Sequence, residues 1–405
     1  MVTIFGPAEY KDYYKKIVDG AKIKEKLTIH QVNGGSIIVD NKNESFGVVD
    51  RNNLLVKESI SSHRTHAKHM EGKCKHYRST YYDEDAVYCG GGMAIKHFGH
   101  FLVEGINRIY PIFDKKYRNC KFVFAVTGKK NIPNYMFEIL RLAGIPEKNI
   151  IFTTKSLRFN NVYIPDEAFD WGYFSSHKMA EICGHIADSV KRPEKTYDKI
   201  YVSRLKTGDR HTIGENIIQN IFEKNGYKVI YPEQLPVQQQ IGLVKNCSYL
   251  AGVAGTALHL ALFMRPGGTV IQVKRNLELE DNFFVQNLIN QTNMLNSILI
   301  WGSIEKTATK HFTKCPQIIG PTDYFIEFLR SNNFSFSAED LIIPKDTLEE
   351  YKTELARYNV LMGGKFSRGI KKFITRLFSC FIPGRHNRKV VREFLEHVLH
   401  YEKDF

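Results

Sequence analysis

No C-x-x-C pair occurs among the seven cysteines (Cys74, Cys89, Cys120, Cys183, Cys247, Cys315 and Cys380), and their number is odd. That excludes a closed disulfide frame and a zinc ribbon, and it predicts reduced thiols. No uninterrupted apolar run approaches the roughly 18–20 residues of a spanning helix. The opening Met1-Val2-Thr3-Ile4-Phe5-Gly6-Pro7 lacks the basic and then apolar pattern of a secretory leader. A cytoplasmic location is therefore expected. There is no internal repeat to argue for a solenoid, and no RNA-binding aromatic motif or zinc knuckle, so nucleic acid is not an expected partner. Acidic residues are outnumbered by basic ones, 43 to 57, which gives a formal charge of +14 and a pI near 9.2. Such a balance favours anionic partners: nucleotide diphosphates, acidic glycans or an anionic membrane surface.

What is present describes a folded α/β protein. Hydrophobic residues make up 43% and aromatics 12% of 405 residues, enough chain for two domains. The most regular stretch runs from Lys199 to Gln272. Strand-like Lys199–Arg204 is followed by a helical period over Ile213–Lys224, strand-like Tyr227–Ile230, a helical period over Pro236–Asn246, the apolar Tyr249–Gly252, and strand-like Thr269–Gln272. Alternation of this kind predicts a parallel sheet covered by helices. The turn Gly252-Val253-Ala254-Gly255-Thr256-Ala257 opens a further helix. Its first amides suit an anion such as a diphosphate, and Arg204 and Lys206 can add formal charge. A glycine turn between strand and helix is also common to α/β domains without a ligand there.

A second informative region begins at Ala86. A strand-like Ala86–Cys89 runs into three glycines, and Met93–Tyr110 reads as a helix on which His97, His100, Glu104 and Arg108 share one face. The stripe has three readings: a solvated face with a Glu104–Arg108 pair, a zinc site through His97, His100 and Glu104, or a catalytic face in which a carboxylate orients an imidazole base. Strands are expected at Leu27–Val32, Ser36–Val39, Lys121–Val126, Asn149–Phe152 and Asn161–Pro165, with helices over Ala8–Val18, Asn134–Ala143 and Ser176–Val190. Residues 1–60 read as the lead-in and edge of the first domain. Asp166 and Glu167, directly after a strand, are rival bases or plain turn residues.

Two sets of residues carry a resemblance to a known family. His97-Phe98-Gly99-His100-Phe101-Leu102-Val103-Glu104 resembles the N-terminal His-(Phe/Trp)-x-His-Phe-Leu-x-Glu signature of glycosyltransferase family 61. Tyr201-Val202-Ser203-Arg204, Tyr231-Pro232-Glu233-Gln234-Leu235, Gln239-Gln240, the Gly252–Ala257 turn and Pro266-Gly267-Gly268 resemble its C-terminal half, in order and spacing more than in identity. Ala254 stands where the family has the turn histidine, and Thr256-Ala257 where it has Ala-Gly. The resemblance implies the α/β, GT-B type fold: two Rossmann-like domains with a cleft between them, plus here a C-terminal helical tail. The domains are expected at 1–192 (acceptor), 193–310 (nucleotide-sugar) and 311–405 (helical extension), with the linker at 191–196. It also implies an inverting glycosyltransferase of bacterial surface polysaccharide, acting on a nucleotide-sugar donor and a saccharide or lipid-linked saccharide acceptor. The expected catalytic residues are His100, Glu104 and His97. Donor binding is expected from Arg204, Lys206, Glu233, Gln240, Gly255, Thr256 and Ala257. No Asp-x-Asp pair is read as a metal motif, so the transfer is expected to need no metal and no cofactor.

The charge also leaves open a non-catalytic protein that binds an anionic polymer. Two basic features feed that alternative. Residues 61–76 hold Ser62, His63, Arg64, His66, Lys68, His69, Lys73, Lys75 and His76, whose spacings match no metal motif. Residues 363–382 place Phe366, Ile370, Phe373, Ile374, Leu377, Phe378 and Phe381 at helical spacing, among Lys365, Arg368, Lys371, Lys372 and Arg376. A helix of that composition lies in an anionic lipid interface or packs back onto the protein.

Overall fold

The computed structural model describes residues 1–40, 45–60, 78–93, 97–126, 131–170, 174–207, 212–276, 283–305 and 315–363. The histidine-rich loop, most of the basic tail, Cys74 and Cys380 lie outside the described residues. One compact unit spans Met1–Thr347, and a second, Leu348–Phe405, begins within the helix Lys345–Gly363.

The predicted parallel sheet is present. Its order is Val2–Phe5, Asn296–Trp301, Thr269–Lys274, Tyr249–Val253, Lys199–Val202 and Lys228–Ile230, every pair parallel. Alternation within these strands assigns their faces. Tyr201, Ala251 and Ile271 pack with Ile218, Phe222, Phe325 and Phe328. Ile200, Val202, Leu250 and Val270 instead join Ile241, Val244, Leu288 and Ile289. Burial on both faces is what keeps an all-parallel sheet out of water. The first strand is a surprise: Val2–Phe5 pairs with Ser297–Ile300, so the opening residues complete this sheet rather than edge the other one.

The second five-element sheet places Ile150–Thr153, Lys121–Val126, Ala86–Met93 and Asn161–Pro165 in parallel, with Ile29–Asn33 antiparallel at its edge. One face, through Val87, Phe122 and Phe124, meets Ile139, Leu140, Ile182 and Ile186 in the same apolar cluster that covers the six-stranded sheet. The other face carries no helix in its cluster. There Tyr88, Val123, Ala125 and Val162 pack on Ile37, Val39, Phe46 and Val48 of a mostly antiparallel sheet (Leu55–Val56, Ser45–Val49, Ser36–Asp40, Leu157–Arg158, Thr80–Tyr81). A plain Rossmann-like first half therefore gains a sheet-on-sheet layer that helix and strand periods did not announce.

The helix expected over Met93–Tyr110 is broken up. The strand from Ala86 continues through the glycines to Met93, followed by an α turn at Phe98–His100, a π-helical turn at Phe101–Gly105 and a 3-10 turn at Tyr110–Phe113. Phe101, Leu102, Val103, Gly105 and Ile106 are all buried. With apolar residues on every side, packing rather than one amphipathic stripe decides the geometry. The five described cysteines are buried thiols. Burial pushes the Cys120 thiol up to about 11 and Cys247 to about 12, so both stay protonated.

Candidate active site

Two strand ends bring the candidate residues together. The Ala86–Met93 strand leads to His97, and the Tyr249–Val253 strand leads to Gly255. Between them the fit is tight: a Cβ at Gly99 would lie 2.6 Å from Thr256 Cβ and 2.9 Å from His259 Nδ1. Only a residue without a side chain lets the histidine turn and the Gly255 turn touch there.

On the first side, His100 Nδ1 stands 3.3 Å from Glu104 Oε2, with the two side chains 28% and 19% exposed. The imidazole is thus held by a carboxylate yet reachable from solvent. His97 caps the turn, its carbonyl accepting from Phe101 N–H at 3.1 Å, and its ring meets that of His100 edge-on with centroids 5.4 Å apart. Arg108 leaves the expected stripe. It is buried, donates to the carbonyls of Pro165 (2.6 Å) and Glu58 (3.1 Å), and faces Glu167 at 3.6 Å. The π-turn between Phe101 and Gly105 shifts the angular position of every later residue, which separates Arg108 from the face that regular spacing predicted.

On the second side, the helical segment Thr256–Phe263 is a 3-10 helix. Its internal bonding starts with Leu258 N–H donating to Gly255 O at 3.1 Å, so the amides of Thr256 and Ala257 precede the first helical donor. Arg204 stands beside this turn. Its guanidinium donates to Ala254 O at 3.1 Å, and a Cβ at Gly255 would lie 2.5 Å from it. Arg204, Gly255, Thr256, Gly99 and His100 form one chain of neighbours. Lys206 projects further out, its Nζ 4.1 Å above the centre of the Tyr231 ring. Tyr231 also lines a cavity of about 490 Å³ with Tyr197, Gln234 and Leu235. Glu233 is exposed on the same loop. Gln240 is turned inward, its amide donating to Pro232 O (2.7 Å) and Leu235 O (2.9 Å), so it braces the loop that carries Glu233.

Two ionisable groups in this neighbourhood escape a reading of the sequence. Glu215, 1% exposed, accepts from Arg204 N–H at 2.9 Å and from the Tyr201 hydroxyl at 3.4 Å. Burial pushes its carboxyl up to about 7, against the lowering effect of Arg204, Tyr201 and Arg275. His259 is buried against Gly99, and burial together with nearby His100 drives its imidazole down to about 4, against a raising backbone hydrogen bond at Gly99. It is neutral at physiological pH. A signal for each exists: Glu215 precedes Ile218 and Phe222 at steps of three and four, on the apolar face of its helix, and His259 interrupts the run Leu258–Phe263.

The rival acids have structural partners. Asp166 is partly buried, which by itself would raise it, but the Thr28 amide (3.0 Å), the Thr28 hydroxyl (2.9 Å) and Lys24 (3.4 Å) hold it below the usual carboxylate range. Glu167 faces buried Arg108. Against the expectation of no Asp-x-Asp pair, that spacing does occur at Asp83-Glu84-Asp85. Asp83 accepts from Asn160 and Asp85 from Asn161, at the start of the Asn161–Pro165 strand. Among the described residues no group of three or more His, Cys, Asp or Glu is placed to hold a metal ion. No helix among them is long and apolar enough to cross a membrane.

Comparison with known proteins gives one family: the model for Glycosyltransferase 61 matches residues 98–271, the segment that holds both sides of the site from Gly99 onward. Among curated proteins nothing matches. Among solved structures, a dodecameric iron-containing heptosyltransferase, TibC, in complex with ADP-D-β-D-heptose is similar at 10% identity, over 83% of this chain and 92% of that one, with a TM-score of 0.25.

Proposed function

We propose that this chain, a glycosyltransferase whose residues 98–271 are a family 61 segment, transfers a sugar with inversion from a nucleotide donor to a saccharide or lipid-linked saccharide hydroxyl in bacterial surface polysaccharide assembly. The observation that carries the reading is the contact of Gly99 with Thr256, which sets the His100–Glu104 pair against the donor turn. Glu104 faces His100 Nδ1, so Nε2 is the nitrogen that accepts the acceptor's hydroxyl proton. The freed oxygen attacks the anomeric carbon on the side opposite the diphosphate, and the bond from that carbon to the phosphate oxygen breaks. Negative charge grows on the departing diphosphate. Arg204 and the amides of Gly255, Thr256 and Ala257 stabilise it there without a metal, and Lys206 adds a cation at the rim. His97 sits at the acceptor side, and the nucleoside lies along Tyr231 and Glu233, on the loop that Gln240 braces.

The GT-B arrangement, with lobes at 1–192 and 193–310 and an extension at 311–405, is part of the proposal, with the exception of Val2–Phe5, which belongs to the sheet of the second lobe. Its support is the pair of parallel sheets whose carboxyl ends supply the two sides of the site. A cytoplasmic enzyme held at the inner membrane face through residues 363–382 completes it. The test is direct. Arg204→Ala should lose about tenfold or more in affinity for a nucleoside diphosphate, the scale of a lost charge-assisted bond. His100→Ala should keep that affinity and lose turnover by about 10²-fold or more. Unchanged diphosphate binding in the first variant, or full turnover in the second, removes the role assigned.

A further inference from the structure

A polar cluster lies at the other rim of the five-stranded sheet that holds Ala86–Met93. The Asn161–Pro165 strand begins there, parallel to Ala86–Met93, whose far end leads to His97 and His100. Strand Ala86–Met93 has eight residues. At about 3.3 Å per residue the two rims are about 25 Å apart. A surface cavity of about 670 Å³ is lined there by Asn33, Arg51, Tyr81, Arg158, Asn160 and Asn161.

The lining is built rather than loose. Gln31 donates to Asn33 Oδ1 (2.9 Å) and Asn161 Oδ1 (3.1 Å), and Asn161 donates to Asp85 at 2.8 Å. The Tyr81 hydroxyl donates to Asn160 Oδ1 at 2.5 Å, and Asn160 donates to Asp83 at 3.0 Å. Arg51 Nε donates to Asn33 O at 3.1 Å across Gly34, which has φ of 64°; a Cβ there would lie 2.4 Å from that nitrogen. The two aspartates act as acceptors for the amides and the tyrosine. Among the described residues neither Arg51 nor Arg158 has a carboxylate within ion-pair distance, and both are exposed. Tyr81 is 57% exposed.

These groups match one ligand chemistry. An exposed aromatic face packs against the C–H face of a pyranose, fixed amides meet hydroxyls, and guanidinium groups bind a carboxylate or phosphate in two-pronged fashion. We propose that this cavity is a second saccharide site, which takes an anionic sugar residue of a glycan, carboxylate- or phosphate-bearing, about 25 Å from the site of transfer. It holds a distant unit of a polymer while the chain end reacts, and it stands whether or not His100 is the base.

Affinity electrophoresis of the full chain through gels containing oligogalacturonate, phosphomannan or neutral dextran tests this. Retardation by at least one acidic glycan and not by dextran is expected, and which one retards identifies the anion. Arg51→Ala/Arg158→Ala should weaken it about tenfold, and Tyr81→Ala should weaken it too, each with an unchanged melting temperature and nucleoside-diphosphate response. Arg51→Lys/Arg158→Lys, which keeps charge and fold, should still lose affinity, because a lysine cannot form the two-pronged bond. No retardation by either acidic glycan overturns the proposal, as does equal retardation of the alanine pair or full retention by the lysine pair. Tight binding of a single-stranded oligonucleotide through the same two arginines would assign the cavity to nucleic acid instead.

Discussion

Replacing Glu215 by glutamine should make the protein more stable at pH 8.5 and leave it unchanged near pH 4. The carboxyl is buried beneath the Arg204 loop and titrates at about 7, against an ordinary value of 4.5. That gap corresponds to about 3 kcal/mol. The sign follows from which state binds the proton. Below pH 4.5 both folded and unfolded chains are protonated, and the group contributes nothing. Between 4.5 and 7 the unfolded chain has lost its proton while the native one keeps it, so stability falls as pH rises. Above 7 the full penalty of a buried charge is present. Glutamine has the same shape, accepts from Arg204 N–H through its carbonyl, and never ionises. Urea unfolding of both proteins at about pH 4.5 and pH 8.5 should show a gain of about 3 kcal/mol for Glu215→Gln at the higher pH, shrinking towards zero at the lower. A variant less stable at the higher pH, or one displaced equally at both pH values, refutes this account. In the first case the carboxylate would be stabilising Arg204 by more than its burial costs.

Gly99→Ala forces a methyl group against Thr256 and His259, so it should cost about 1–3 kcal/mol in unfolding measurements and lower turnover with little change in diphosphate affinity. Asp166→Asn should retain most of its turnover, because that carboxylate is tied to Thr28 and Lys24; loss comparable to His100→Ala would make Asp166 the base. Gln240→Ala frees two carbonyls on the Pro232–Leu235 loop and should raise KM for the donor more than it lowers kcat, read from steady-state kinetics. Removal of residues 363–405 should release the protein from vesicles rich in anionic lipid; unchanged sedimentation with those vesicles would place the attraction elsewhere.

How much of this is legible in the sequence depends on whether local pattern or distant packing decides the outcome. The strands at Lys199, Tyr249 and Thr269 are short β-branched runs closed by turn residues, and the structure has each within a residue or two. The approach of Arg204 to the Gly255 turn is less legible, because it needs Lys199–Val202 to pair with Tyr249–Val253 although Lys228–Ile230 comes between them in the chain. The Met93–Tyr110 stretch reads differently because Phe101, Leu102, Val103 and Ile106 are all buried, and a helix apolar on every side has no face for spacing to reveal. Arg108 is displaced from the candidate stripe for that reason. Glu215 and His259 escape because a polar residue inside an apolar period reads as a tolerated interruption. The pairing of Val2–Phe5 with Ser297–Ile300, at the other end of the sheet-forming chain, has no local signature at all.

That last pairing governs how the molecule can be cut and made. A fragment trimmed to 98–271 would sever the strand that begins at Thr269, discard its neighbour Asn296–Trp301, and leave an open hydrogen-bonding rim prone to self-association. During synthesis Val2–Phe5 must likewise wait, unmatched, until the chain has grown past Trp301. An affinity tag fused at Met1 would emerge directly beside a ladder in which Ser297 N–H already donates to the Met1 carbonyl.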